Sequence, residues 1–193
     1  MYQELFRGAS FWLFLFSIDQ DLAHTAQQKA CPCGGRLHRA NYPRKPRGTA
    51  EDLPGDYAYR FSFCCERDGC RKRLTPPSVR FLGRKVYLFA VVVLVSAMRQ
   101  GPSPRRVHQL SQFFGADRRT IAHWQVFWRE HVPQTPFWKI ARARLPATAQ
   151  SILLPQSLLD VFLHGDDLCQ SWGRLLRFLA PITTTAGLLN EVT

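Results

Sequence analysis

Hydrophobic positions along the chain change their period several times, and each change marks an element. Residues 1–28 carry the run Phe11–Phe16 (FWLFLF) inside a helical pattern. Asp56–Phe63 (DYAYRFSF) instead alternates aromatic and small or polar residues at 57, 59, 61 and 63, the period of a strand. Helical spacing returns in the continuous apolar run Val86–Met98 and persists to the end of the chain. Ser103 is a good N-cap with Pro104 at the first helical position, and Val107, Leu110 and Phe114 share one face of the helix they open. Gly115 supplies the left-handed residue that ends it. Asp117 then caps a second helix, over 117–130, whose apolar positions Ile121, Trp124 and Trp128 recur at helical spacing. Thr135-Pro136 opens a short helix through Ala143, and Ser157–Leu163 and Leu168–Leu179 are two more, joined by Gly165.

This pattern predicts a mainly α chain with one small β module. Its parts are an N-terminal helical segment (1–28), a β module (29–77), a connecting helix with a helix-turn-helix (78–132) and a C-terminal helical tail (133–193). At 193 residues, 46% of them apolar, it can bury a sizeable core. Both long apolar runs are shorter than the roughly 18–20 residues of a spanning helix, so they are expected to be buried helices in a cytoplasmic protein. The N-terminal run also lacks the basic flank and small-residue cleavage site of a secretory leader.

Charge narrows the function. The net +12 is concentrated in two blocks, residues 36–85 at +8 and 99–144 at +7, while both ends of the chain are slightly acidic. Clustered Lys and Arg suit a polyanion, because neutralising phosphates is what such clusters do best. Neither block has an amphipathic face for an anionic membrane. No paired carboxylates at helical spacing, activated nucleophile or phosphate-cradling loop stands out, so an enzyme is not expected. Asp160, Asp166 and Asp167 read as cap or loop residues.

Five of the six cysteines fall in two clusters inside the first basic block, Cys31-Pro-Cys33-Gly-Gly and Cys64-Cys65-Glu-Arg-Asp-Gly-Cys70. In a reducing compartment, disulfides are disfavoured. Paired clusters about thirty residues apart suit a tetrahedral zinc ion taking two thiolates from each. The expected ligands are Cys31, Cys33, Cys65 and Cys70, with Cys64 as substitute for Cys65 and His38 as an outside alternative. Strand alternation puts Cys65 on the face of Phe61 and Phe63 and Cys64 on the other. Gly69 is expected to ease the second turn. Four thiolates leave no open position, so this zinc is structural, and the order knuckle, long loop, strand, knuckle makes the 29–77 module a zinc ribbon with a basic loop. Cys169, alone in an apolar helix, reads as a core residue. The loop after the first cluster, Tyr42-Pro-Arg-Lys-Pro-Arg-Gly48, reads as an extended arm offering Arg44, Lys45 and Arg47 to phosphates or a minor groove.

Ser103–Trp128 resembles the helix-turn-helix of bacterial regulators and transposases. Ser111 is the small residue four before the turn glycine, Phe114 and Ala116 flank that glycine, and Ile121 is the branched residue six beyond it. The resemblance implies a recognition helix whose outward residues are Arg118, Arg119, Ala122 and His123, with Arg105 and Arg106 on the first helix beside the duplex. Arginine matches the two acceptors on the guanine edge, and Thr120 or Asp117 is placed to reach backbone or cytosine. The order Cys-Pro-Cys-Gly-Gly, Cys70-Arg-Lys-Arg-Leu-Thr, helix and helix-turn-helix, over about residues 30–130, resembles the DNA-binding front end of insertion-sequence transposases. That family adds a catalytic domain with three acidic residues on a mixed sheet, whereas residues 131–193 hold four acidic groups and little strand pattern. The resemblance thus implies a recognition half standing alone: a sequence-specific double-stranded DNA-binding protein tied to transposition, with a transposase or other protein as a possible partner of its terminal helices. The alternatives are a transcription regulator, and an RNA-binding or nucleoprotein-assembly subunit.

Overall fold

The computed structural model describes residues 2–44, 46–47, 53–82, 87–96, 115–147, 154–163 and 167–184. It is mostly helical with a small antiparallel sheet. The expected first helix over 103–114, and with it Arg105 and Arg106, lies outside the described residues, as do Lys45 and Asp166.

The chain opens with α1 (Tyr2–Arg7) and α2 (Ala9–Gln28). The aromatic N-terminus packs onto this chain's own last helix, α7 (Leu168–Leu179). Trp12 Nε1 donates to the Phe6 carbonyl at 2.9 Å and folds α1 back on α2. The Phe6 and Phe11 rings lie 5.6 and 6.5 Å from Trp172. Gly173 lets the two helices meet: a Cβ there would stand 2.7 Å from the Phe14 ring. Around this contact, α3 (Phe89–Ser96) is buried on nearly every side, so burial overrides the weak helix propensity of its four valines. Trp124, Trp128, Trp138 and Leu158 complete the same core. Each large apolar side chain buried there contributes about 1.5–3 kcal/mol.

Helix α4 (Arg118–Val126) begins where Asp117 accepts the Thr120 N–H at 2.7 Å. It runs into a π-helical turn over Phe127–His131 and a 3-10 turn over Val132–Gln134. Thr135 caps α5 (Pro136–Ala141), accepting from Trp138 N–H at 3.2 Å while its hydroxyl donates to Val132. Helix α6 (Gln156–Phe162) precedes α7, and Asp167 caps α7 through Gln170. Asp160 accepts from the Gln156 side chain, so both described aspartates of the tail serve their own helices.

The β module is a long hairpin in two pieces. Strand β1 (Leu37–Arg39) pairs with β4 (Phe63–Cys65), which also pairs with β5 (Arg73–Leu74). Strand β2 (Tyr42–Pro43) pairs with β3 (Tyr59–Arg60). Between the pieces the Asn41 side chain accepts the Ser62 N–H at 3.1 Å in place of a ladder bond, while the pairing keeps one register from Leu37 to Pro43. The continuous strand expected over Asp56–Phe63 is corrected at its start, where Gly55–Ala58 is a 3-10 turn. Tyr57 is buried and Tyr59 is 42% exposed, so the aromatic residues do not share one face.

The arm also needs correction. Tyr42 and Pro43 are strand residues, the Arg44 N–H donates to Ala58, and the Arg47 carbonyl accepts from Leu88 N–H at 3.2 Å. The Arg47 guanidinium lies over the Tyr87 ring at 5.8 Å. The segment is pinned at both ends and does not project as a free arm.

Candidate metal centre and basic helix

The first cysteine turn is built by Gly34 and Gly35. Gly34 takes φ +78 and donates its N–H to the Cys31 carbonyl at 2.7 Å, and Cys31 N–H returns to the Gly35 carbonyl. Gly35 is small for a steric reason: a Cβ there would stand 2.6 Å from Cys65 Sγ. The second turn closes when the N–H groups of Cys70 and Arg71 both reach the Arg67 carbonyl. Its left-handed residue is Arg71, at φ +44, and not Gly69 as the sequence suggests.

These turns gather four sulfurs. Cys31, Cys33, Cys65 and Cys70 place their Sγ atoms within 4.8 Å of one another. Cys31 Sγ is 3.6 Å from Cys70 Sγ, and Cys33 Sγ is 3.5 Å from Cys65 Sγ. A tetrahedral ion with metal–sulfur bonds of about 2.3 Å needs edges of about 3.8 Å, so the cluster fits a metal ion. It does not fit disulfides, whose sulfurs approach about 2.05 Å. Cys31 and Cys65 are buried, and Cys33 and Cys70 are half-buried.

The electrostatics of the thiols point the same way. The Gly35 N–H, together with the neighbouring sulfurs, lowers Cys33 to about 6 against the cost of burial. At Cys65 the Arg67 N–H favours the thiolate, yet burial and the other three sulfurs outweigh it and raise the group to about 12. Cys31 is likewise raised, the Cys33 N–H being outweighed by burial and by the Cys33 and Cys70 sulfurs. Four thiolates this close repel, and a cation in their midst removes the conflict.

Neither alternative ligand enters the cluster. Cys64 faces outward with its sulfur 3.5 Å from the Arg71 carbonyl. His38 Nε2 lies 3.1 Å from Glu66 on the exposed side of the hairpin. Glu66 is held below the usual carboxylate range, first by the Arg36 N–H and then by His38.

On α4 the expected outward residues separate cleanly from the core. Ile121, Trp124 and Trp128 are buried, whereas Arg118, Arg119, Ala122 and His123 are exposed. Thr120 is half-buried in the first turn, and Asp117 is committed to the cap and unavailable to a base. The Thr120 N–H holds the Asp117 carboxyl below its ordinary range. Gly115 has φ +66, and Tyr87 Oη donates to its carbonyl at 2.6 Å, fixing the entry to the helix. Cys169 is half-buried in α7, with burial raising its thiol first and Asp167 adding to the rise.

Two features escape sequence inspection. Asp19 and Arg80 form an ion pair at 2.8 Å with both side chains fully buried. The Arg80 guanidinium lies 4.6–5.4 Å from the ring centroids of Phe16, Tyr57, Phe61 and Phe81, and donates to the Tyr57 and Tyr59 carbonyls. Asp19 also accepts from Ser78 Oγ and the Val79 N–H, both at 2.6 Å, and Ser78 N–H reaches Thr183. Arg60 is buried as well, bonded to the Pro76 carbonyl. The first basic block thus offers less charge to solvent than its composition implies. No spacing announces a pair 61 residues apart.

A cleft of about 650 Å³ separates α2 from the hairpin. Three of its polar groups are taken, Asp21 by Arg177, Gln27 by the Leu37 carbonyl and Asn41 by Ser62. No helix among the described residues is long and apolar enough to cross a membrane. Comparison with protein-family models, curated proteins and solved structures gives no match at any of the three.

Proposed function

We propose that this chain is a sequence-specific double-stranded DNA-binding protein, held in part by a structural zinc ion in a zinc ribbon, that reads the major groove with α4. The observation that carries the reading is a paired Arg118–Arg119 at the exposed start of a helix whose opposite face is buried. That helix follows a left-handed Gly115 and an Asp117 cap, the entry expected of a recognition helix. The zinc assignment is supported by the four-sulfur geometry and by the all-thiolate donor set, which favours zinc over magnesium or calcium. Such a zinc binds no substrate; it fixes the two turns and so the hairpin.

In this reading Arg118 and Arg119 present their forks to guanine edges, His123 lies one turn further along, and Arg47 supplies charge from the pinned loop. The resemblance of residues 30–130 to transposase front ends supports a role in transposition or recombination. Transcription regulation is the second reading, favoured by the same α4 geometry.

The test is binding-site selection from a random duplex pool, with zinc measured on the same sample. One zinc per chain and a defined site are expected. Arg118→Ala or Arg119→Ala is expected to relax preference at one base position, at a cost of roughly 1–3 kcal/mol. Variants that retain the wild-type site preference remove α4 from the role. Competition of the selected duplex by structured RNA at equal concentration would move the assignment to RNA.

A further inference from the structure

We infer a second duplex-contacting surface, formed by Lys139, Arg142 and Arg144, which grips phosphates beyond the groove occupied by α4. The inference rests on the DNA-binding reading above.

The surface follows from local packing. Over Pro136–Arg144 the chain is helical, as α5 and a closing 3-10 turn. Trp138, Ala141 and Leu145 point into the core, at spacings of three and four. Lys139, Ile140, Arg142, Ala143 and Arg144 consequently face solvent, and Ile140 is 68% exposed. Three exposed cations share this short stretch with that isoleucine, and among the described residues no ion pair is seen for any of them.

Acidic groups that would neutralise the patch are already engaged. Between residues 115 and 147 the acids are Asp117 and Glu130. Asp117 caps α4, and Glu130 pairs with Arg129 at 3.3 Å. Among the described residues no carboxylate pairs with the patch, a cationic surface on the same helical body as Arg118 and Arg119.

Its position suits a duplex. The helical run from Arg118 to His131 spans roughly 20 Å at about 1.5 Å per residue, and α5 begins just beyond its far end. Duplex DNA carries a charge about every 1.7 Å of axis, so a surface that far from the recognition helix still meets phosphates of the same site. An anionic membrane is the poorer partner: interfacial helices bury a broad apolar face, and here one isoleucine stands among three charges. Lys139, Arg142 and Arg144 make no use of base edges in this arrangement, so they add affinity and salt sensitivity without specificity.

The experiment compares wild type with the triple variant Lys139→Ala/Arg142→Ala/Arg144→Ala on the selected duplex between about 50 and 200 mM salt. Losing three phosphate contacts should flatten the slope of log K against log salt by about 2.7, roughly 0.9 for each. Across that range the wild type should lose about forty-fold more affinity than the variant, with base preference unchanged. Arg142→Lys/Arg144→Lys, which keeps both charges, should retain the wild-type slope, and unchanged tryptophan emission checks the fold of each variant. An unaltered slope in the triple variant overturns the patch while leaving α4 in place. If wild type holds no duplex at about 50 mM salt, the DNA reading falls and the patch with it. If the triple variant loses binding to phosphatidylserine vesicles and keeps its duplex slope, the surface belongs to a membrane and the inference is overturned.

Discussion

The helical body and the cysteine module are stabilised by different physics. The body buries Trp12, Trp124, Trp128, Trp138 and Trp172 in one continuous core with α3 at its centre. Among the described residues the module, 29–74, has its own cluster of Ala23 of α2, Cys31, Leu37, Phe63 and Cys65, with half-buried Phe61 at the margin, while buried Tyr57 joins the core of the body. Strands of two or three residues cannot supply what that cluster lacks. Domains this small usually need a metal or disulfides to stay folded, and the four sulfurs sit where the missing stabilisation has to come from. One region is held by area removed from water, whereas the other has a small core, a four-sulfur site able to hold a metal ion, and its attachment to the first.

Metal removal should separate the two most strongly. All five tryptophans lie in the body, so their emission reports on it alone. A chelator, or Cys65→Ser, is expected to abolish stoichiometric metal and the amide-exchange protection of β1 and β4, while tryptophan emission stays near wild type. Simultaneous loss of both signals would show that the module also supports the body. The next largest effect concerns the joint between the regions. Asp19→Ala or Arg80→Ala leaves a buried charge unpaired and should cost about 3–5 kcal/mol in denaturant melts. The double variant should cost less than the two together, because it removes the pair as a unit.

Two glycines then sharpen the contrast, since the same substitution is read out differently in each region. Gly35→Ala pushes a methyl into Cys65 Sγ and should weaken metal affinity roughly 10–100-fold in competition with a chromophoric chelator, without shifting tryptophan melting. Gly173→Ala overpacks the α2–α7 crossing against Phe14 and should cost about 1–3 kcal/mol in that melt with metal affinity intact. The smallest effect expected is at Thr135, where Thr135→Ala deletes the α5 cap and should lower stability by about 1–2 kcal/mol.

Local chemistry was legible in the sequence. Strand alternation placed Cys65 inward beside Phe63 and Cys64 outward, because side chains two apart share a face. The caps at Asp117, Thr135 and Asp167 and the left-handed Gly115 followed from residue types with few alternatives at helix ends. What stayed hidden was non-local. At Ser62 the N–H is taken by the side chain of Asn41, twenty-one residues earlier, in place of a ladder carbonyl. The prolines of the Tyr42–Gly48 loop suggested a projecting arm, yet pairing with Ala58 and Leu88 decides its path. Arg60 and Arg80 were counted with the surface charge, since composition cannot distinguish an arginine that finds a buried aspartate or carbonyl from one that faces solvent.

The Asp19 carboxylate, with Arg80, Ser78 and Thr183 around it, joins segments drawn from nearly the whole length of the polypeptide. During synthesis the cysteine turns emerge and can close on an ion while the ribosome is still making the second half. The Ser78 N–H beside that carboxylate, by contrast, finds its acceptor only once Thr183 has been made, more than a hundred residues after Cys70.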